Sequence, residues 1–323
     1  MSAVLKPSWS KPSTILLATE IPADEKAYCF ALAQAAEFGA KLILFHAFDP
    51  LMVNASPSSG IRYSDDAAAA RIELEHLEPL AERVREAGVE CETLVRPGAP
   101  TEQILVLLRK RRGKQAIDRI VMGTHSPGPI GKLLVGSVAE AVLRTASVPV
   151  CIVGPQVVNG RYRNFDTRTI LCGASLHGSS QMVVEYAAEL AAEQGARLIL
   201  QHVIRPQERN EVLAGRTVEE MEAELLAMIP VELQGSVTAQ AMAVEGDPTE
   251  ELLYHGRTQQ ADMVVLGAQG ASAFAAATRH GVVYKVLAHT HCPVMTLSPV
   301  VLAAGGGKME RVQTHEEYLA GVF

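Results

Sequence analysis

Aromatic residues are scarce in this chain: phenylalanine, tryptophan and tyrosine make up 5% of its 323 residues, with a single tryptophan. Aliphatic residues must therefore fill the core, which favours buried sheets and helices over an aromatic-rich sandwich or a surface on which bases stack. The hydrophobic share of 48% and the charged share of 20% are typical of a globular protein and exclude a disordered or fibrous chain. The length predicts roughly two domains.

Positive charge is also in short supply. Lysine and arginine total 29 against 36 aspartate and glutamate residues, which gives a net charge of −7 at pH 7. A general nucleic-acid-binding protein needs a positive field, so we expect no nucleic-acid partner. No apolar run approaches the roughly 18–20 residues that span a bilayer, and the first residues lack the apolar segment of a secretory signal. We therefore expect no association with a membrane.

The chain has few cysteines and no CxxC pair. The cysteines are odd in number and widely separated: Cys29, Cys91, Cys151, Cys172 and Cys292. This pattern predicts neither a disulfide framework nor a zinc site, and we expect no metal site. It is typical of a protein in a reduced, cytoplasmic compartment.

The most informative feature of the sequence is an internal repeat. Residues 14–19 (TILLAT) recur as 169–174 (TILCGA), residues 39–46 (GAKLILFH) as 195–202 (GARLILQH), and residues 98–105 (GAPTEQIL) as 246–253 (GDPTEELL). The segments 119–123 and 148–153 have counterparts at 262–267 and 292–297, in the same order. Such a series is the signature of a tandem duplication with small insertions and deletions.

The repeat predicts the domain organisation. We expect one domain over residues 12–154, a linker over 155–168, a second domain over 169–298 and a tail over 299–323. Only the first domain carries a candidate nucleotide site, for the reasons given below.

Each copy alternates buried strands with amphipathic helices. In the first copy we predict strands over residues 15–18, 41–48, 89–95, 119–122 and 149–153, and helices over 24–38, 65–87, 101–111 and 137–145. Gly39 should end the first helix and Thr101 should be an N-cap. Alternation of this length predicts an α/β fold class: two tandem open five-stranded parallel-type sheets with helices on both faces. Pro149 places the last strand of the copy at a sheet edge.

Ligands of an open parallel sheet bind beyond the carboxyl ends of its strands. Glu20 and Ala47 follow or end the first two strands, and the fourth strand opens at Gly123 into a glycine-bearing loop that reaches a helix at Gly136 and Ser137. Glycines let backbone amides approach a phosphate, and a helix start adds free amides and a positive dipole end. On loop chemistry alone, a plain strand-to-helix turn in which Ser137 is the N-cap is the favoured interpretation, because such turns are common in α/β folds. It is neither a Walker A loop nor a GxGxxG fingerprint.

Residues 14–20 (TILLATE), 42–47 (LILFHA), 98–104 (GAPTEQI) and 136–144 (GSVAEAVLR) resemble the universal stress protein family. The resemblance extends over both repeats. It implies an adenine nucleotide alpha hydrolase-like fold in which edge strands, here residues 150–153 and 294–297, pair the two domains.

The resemblance also implies a nucleotide site. ATP-binding members of the family carry a loop of the pattern G-x2-G-x9-G-[S/T], and this chain keeps the spacing with Ser126 at the place of the middle glycine. The carboxylate after the first strand, usually aspartate, is Glu20 here. The nucleotide-binding residues implied are Glu20, Ala47, Gly123, Ser126, Gly136 and Ser137. The implied cofactor is ATP, with or without Mg²⁺.

The second copy departs from this pattern. Ser175 stands at the place of the carboxylate, and His280 and Gly281 stand at the places of glycine and serine. We therefore expect the second domain to be mainly structural. His46 and His202 occupy matching strand ends, which predicts a structural role for both because only one copy keeps the site.

Three function classes follow from the sequence. We expect a stress-response protein that binds ATP or a related adenine nucleotide. The alternative is an interaction or scaffold protein of the same type that has lost its ligand. An ATPase or phosphotransferase is the third class; we expect no enzyme, with no catalytic residue assigned, although slow hydrolysis stays open. A homodimer and a further protein partner of unknown identity are expected.

Overall fold

The computed structural model describes residues 10–48, 66–124, 135–158, 167–176, 180–206, 216–268 and 281–305. The strands of the first repeat are β1 (Thr14–Ala18), β2 (Lys41–Phe48), β3 (Cys91–Pro97), β4 (Arg119–Gly123) and β5 (Val150–Val153). Its helices are α1 (Glu25–Phe38), α2 (Asp66–Glu86), α3 (Pro100–Lys110) and α4 (Ser137–Thr145).

The second repeat has the same order of elements. Its strands are β6 (Thr169–Gly173), β7 (Arg197–Ile204), β8 (Ala239–Glu245), β9 (Met263–Gly267) and β10 (Val294–Leu297). Its helices are α5 (Gln181–Gln194), α6 (Val218–Ala227), α7 (Pro248–Thr258) and α8 (Val282–His289), and a last helix, α9 (Pro299–Gly305), follows β10.

The ten strands form one continuous sheet in the order β3-β2-β1-β4-β5-β10-β9-β6-β7-β8. Neighbouring strands within each repeat are parallel. The repeats meet at the antiparallel pair β5 and β10, where Ile152 faces Val294. The predicted fold class and the pairing of the domains through their last strands are thus confirmed. The last strand is an edge within its own repeat and central in the joint sheet.

Helices cover both faces of the sheet, so its inner strands are apolar on both sides, as is usual for parallel sheets. One buried cluster joins the sheet to α1, α2, α5 and α6, and includes Tyr28, Val84 and Leu190. The other joins it to α3, α4, α7 and α8, and includes Ile104 and Val142. The outermost strand β3 is only partly buried along its length, in keeping with its alternating sequence.

The helix ends show where local sequence rules hold. Gly39 and Gly195 end α1 and α5 with φ of 61° each, a left-handed conformation that favours glycine. Thr101 is not the N-cap of α3, contrary to prediction. Ala99 is the N-cap and Pro100 opens the helix, because the fixed φ of proline suits the first helical position.

The predicted tail begins with the helix α9, which the sequence analysis did not anticipate. Val301 is fully buried and Leu302 is 5% exposed. The Ser298 hydroxyl donates to the carbonyl oxygen of Ala146 and accepts from the amide of Val301, so the start of α9 is attached to the end of α4. Residues 306–323 lie outside the described part of the chain.

A buried polar cluster lies where the repeats meet. Arg119, at the start of β4, is fully buried. Its guanidinium donates to Oε1 of Gln34 in the same repeat and to the hydroxyl of Tyr186 in the other repeat, the latter at 3.3 Å. The guanidinium carbon lies 5.3 Å from the centre of the Phe38 ring. Specific side-chain contacts therefore hold the repeats together besides the strand pairing.

Candidate functional site

The strand order places a crevice at the same point of each repeat. In the first repeat β1 pairs with β2 on one side and with β4 on the other, so the chain leaves β1 and β4 in opposite directions. Such a topological switch point opens a crevice beyond the carboxyl ends of the two strands, and ligands of open α/β sheets bind there. The corresponding point of the second repeat lies between β6 and β9.

Four of the predicted site residues border the first crevice or its rim. Glu20 is exposed two residues beyond β1, and Gly123 is the last residue of β4. Ala47 lies on β2 opposite Arg96 of β3 and is partly buried. Ser137 is the first residue of α4 and is exposed.

Of the remaining two predicted residues, Gly136 and Ser126, the structure describes only Gly136. Gly136 is the N-cap of α4, with φ of −60° and ψ of 150°. The alternative in which Ser137 is the N-cap is therefore wrong, because the extended backbone that precedes the helix belongs to Gly136. Ser126 lies outside the described residues.

The N-terminus of α4 has no side-chain cap. The amide of Glu140 bonds to the carbonyl of Gly136, which begins the helical hydrogen-bond series. The amides of the preceding residues, Ser137, Val138 and Ala139, have no acceptor within the helix by its geometry. These amides and the positive end of the helix dipole form a donor set suited to an anion.

Asp24 is a residue of the crevice to which the sequence analysis gave no site role. Its Oδ1 accepts from the amides of Lys26 at 2.8 Å and Ala27 at 3.3 Å, which caps α1. A β-carbon built on Gly123 would lie 2.5 Å from Oδ2 of Asp24, so the carboxylate lies directly against that glycine. The sequence signal was an aspartate at a predicted helix start four residues after Glu20.

The two matching histidines each contact a backbone carbonyl, in keeping with the structural role predicted for them. Nδ1 of His46 lies 2.9 Å from the carbonyl oxygen of Thr19, and Nδ1 of His202 lies 3.3 Å from that of Ala174. Each ring thus links the second strand of its repeat to the residue that follows the first strand, and so positions the rim of the crevice.

The second crevice is apolar and more deeply buried at the end of β9. A β-carbon on Gly267 would lie 2.9 Å from Cγ2 of Val183 and 3.6 Å from Cδ1 of Leu302. Ala174 and Ala268 are 8% and 9% exposed, whereas Thr19 and Thr124, which occupy the matching positions of the first repeat, are partly exposed. Gly281 is the N-cap of α8, with φ of −63°, ψ of 152° and no side-chain cap, and so takes the place of Gly136. The prediction that put His280 at the glycine position and Gly281 at the serine position is therefore wrong, and His280 itself lies outside the described residues.

Comparison with known proteins agrees with the repeat. The model of the universal stress protein family matches residues 12–154 and again residues 166–298. The chain belongs to the universal stress protein family.

Relatives of this universal stress protein cover one repeat or both. A universal stress protein of Thermus aquaticus, encoded in the 3′ region of a QAH/OAS sulfhydrylase, is 33% identical over 149 residues, which are 43% of this chain and 97% of that protein. The crystal structure of a universal stress protein from Archaeoglobus fulgidus covers 91% of this chain and 98% of its own, with 18% identity and a TM-score of 0.66. A functionally unknown protein of Pseudomonas aeruginosa PAO1 covers 98% and 100%, with 17% identity and a TM-score of 0.63. At these identities the two structures show a common two-repeat fold.

The two repeats of this universal stress protein differ in what covers their crevices. Leu302 lies five residues after the end of β10 and is 5% exposed, whereas Val158, at the same distance after β5, is 64% exposed. Val157 and Val301, one residue earlier, are both buried, so the two segments differ in one residue: Leu302 packs against the end of β9, whereas Val158 is exposed. Within the described ranges, no group of three or more histidine, cysteine, aspartate or glutamate side chains is placed to hold a metal ion. None of the helices described is long and apolar enough to cross a membrane.

Proposed function

We propose that the first repeat binds ATP or a related adenine nucleotide, and that the second repeat is mainly a structural partner. The observation that carries the proposal is the N-terminus of α4, which has no side-chain cap and lies beside a polar switch point; α8 begins in the same way, but Val183 and Leu302 lie against the end of β9 there. This donor set fits a phosphate group, because amides without an acceptor in their own helix and a helix dipole favour a compact anion. The negatively charged carboxylate of Glu20 suits the hydroxyl-bearing end of a nucleotide, because a carboxylate accepts hydrogen bonds from hydroxyl groups.

Each predicted residue then has a role. Gly136 and Ser137 bind phosphate through backbone amides, and the Ser137 hydroxyl is a further donor. Gly123 and Ser126 contribute backbone to the same loop. Glu20 accepts hydrogen bonds from the ribose or the base. The remaining residue, Ala47, leaves room for the adenine because its side chain is small. Mg²⁺ bound to the phosphates would screen their charge.

The second repeat supports this division of roles by what fills its crevice. Val183 and Leu302 lie against Gly267 at the end of β9, where the first repeat has the carboxylate of Asp24. An apolar, covered crevice favours packing over the binding of a charged ligand. We also propose that the protein acts in the cytoplasm in a stress response.

A substitution at the start of α4 tests the nucleotide site. Tryptophan at position 136 needs no unusual φ, so Gly136→Trp should fold and place its ring over the amides of the first turn of α4. We expect ATP affinity to fall by at least about tenfold, because the blocked donors are worth more than about 1.4 kcal/mol. Gly281→Trp is the matched control, since Gly281 is the N-cap of α8 with φ of −63°.

The readouts are calorimetry with ATP and mass spectrometry of nucleotides released on denaturation of the purified protein. Wild-type protein and Gly281→Trp should bind alike. Absence of binding in the wild type, or an equal loss in both variants, would contradict the proposal. Hydrolysis indistinguishable from buffer is expected, whereas an enzyme would turn over ATP on the order of once per second or faster.

The assembly expected for this chain is a homodimer. Since β5 and β10 already pair within one chain, a homodimer must use a different surface from this strand pair. Sedimentation velocity measures it directly: the proposal requires a species of twice the mass of 34.6 kDa.

A further inference from the structure

Two helices of the first repeat begin at the crevice, and only one of them has a side-chain cap at its N-terminus. The helix α4 follows β4 and has no side-chain cap, whereas α1 follows β1 and is capped by Asp24. Both N-termini would attract a phosphate if their amides were free. In α1 the amides of Lys26 and Ala27 already bond to the carboxylate of Asp24, which acts as an internal anion.

The carboxylate of Asp24 is held in place from two sides. Its Oδ1 is bonded by the two amides, and its Oδ2 packs against Gly123, 2.5 Å from the position of a β-carbon on that residue. Asp24 is partly buried, and its negative charge therefore lies between the start of α1 and the end of β4. Ser180 of the second repeat, at the start of α5, carries no charge and makes no side-chain cap bond.

We infer that Asp24 is a specificity-determining residue of the nucleotide site: its carboxylate turns phosphates away from α1 and directs them to α4. The inference rests on the proposed function and adds a residue that enforces the ligand orientation given there. The uncharged nucleoside end should lie on the β1 side, next to Glu20. Each added phosphate should meet repulsion from Asp24 as well as attraction from the amides of α4.

The test is Asp24→Asn, which keeps the oxygen that caps α1 and removes the charge. Calorimetry without Mg²⁺ would compare adenosine, AMP and ATP. Removing one charge close to the phosphates should tighten ATP binding by about fivefold at low salt, with a smaller gain for AMP. Adenosine affinity should stay within about twofold, because its ribose and base are uncharged.

Asp247→Asn is the matched control. Asp247 caps α7 in the same way, through the amides of Thr249 and Glu250, but it follows the outer strand of the second repeat. An unchanged ratio of ATP to adenosine affinity in Asp24→Asn, a weaker ATP affinity, or an equal gain in both variants would overturn the inference and leave the proposed function standing. Wild-type protein that binds neither adenosine nor ATP would overturn both.

Discussion

The buried cluster around Arg119 gives a prediction that the repeat itself makes possible. The cluster consists of Arg119 and Gln34 of the first repeat and Tyr186 of the second repeat. Because the sequence is duplicated, each of these residues has a counterpart in the other repeat. The counterparts of Arg119, Gln34 and Tyr186 are apolar and at most 1% exposed: Met263, Leu190 and Phe30, respectively. The same packing problem is thus solved once with polar and once with apolar side chains.

Arg119→Met should destabilise the protein by about 2–4 kcal/mol. The change removes the donors to Gln34 and Tyr186, and a buried polar group left unsatisfied costs about 1–3 kcal/mol. It also removes the cation from above the Phe38 ring, a contact worth about 1–2 kcal/mol when desolvated. Burial raises the pKa of Tyr186, while Arg119 opposes that rise, so the tyrosine hydroxyl stays neutral at pH 7 in the variant.

The triple change Arg119→Met, Gln34→Leu and Tyr186→Phe should recover most of that loss. Replacing a whole buried polar group by packed apolar residues is often neutral or stabilising by about 1–4 kcal/mol, whereas breaking it in part is costly. Urea unfolding followed by circular dichroism measures both changes. A triple variant no more stable than Arg119→Met would refute the reasoning, because the three polar residues would then stabilise the protein by more than their hydrogen bonds to one another.

Two further predictions concern the covered crevice and acid stability. Leu302→Asp should lower the free energy of unfolding by about 3 kcal/mol or release α9, seen as faster hydrogen exchange near Gly267, because a charge would replace a buried leucine; Val300→Asp, at a position 44% exposed, should change it by less than about 0.5 kcal/mol. Hydrogen bonds from Arg111 lower the pKa of Glu92, with burial opposing. That stabilisation is present above the unfolded pKa and is lost as pH falls through the folded pKa. Wild-type protein should therefore lose up to about 1 kcal/mol more than Glu92→Gln between about pH 5 and pH 3, and equal losses would contradict this.

Much of the fold follows from local sequence patterns. The strand β2 and the helix α4 have the predicted bounds, Lys41–Phe48 and Ser137–Thr145, because a continuous apolar run and a helical period are both strong local signals. The pairing of β5 with β10 followed from the resemblance to a family. Periodicity alone gives no partner for a short apolar strand.

What sequence reasoning missed depends on contacts between distant residues. The role of α9 depends on the apolar crevice that receives Leu302, and that crevice is built from β9 and α5, far earlier in the chain. Asp24 reads locally as a helix cap, and only the approach of Gly123 from β4 makes it part of the crevice. Arg119 would be read as a surface residue at a strand start until its partners in two repeats are known.

The two repeats differ in the polarity and the exposure of the residues at their switch points. Both α4 and α8 begin without a side-chain cap, but in the first repeat the switch point keeps polar residues and a partly exposed rim. In the second, alanine replaces threonine on the rim and α9 supplies leucine to the opening. The second repeat thus fills with apolar side chains a place that is polar in the first repeat.

Native mass spectrometry of the purified chain with ATP tests the central claim most directly, because it counts ligands on each molecule. One nucleotide per chain, lost in Gly136→Trp and kept in Gly281→Trp, is the predicted result. No bound nucleotide, or two per chain, would contradict an account in which only the first crevice is open to a phosphate.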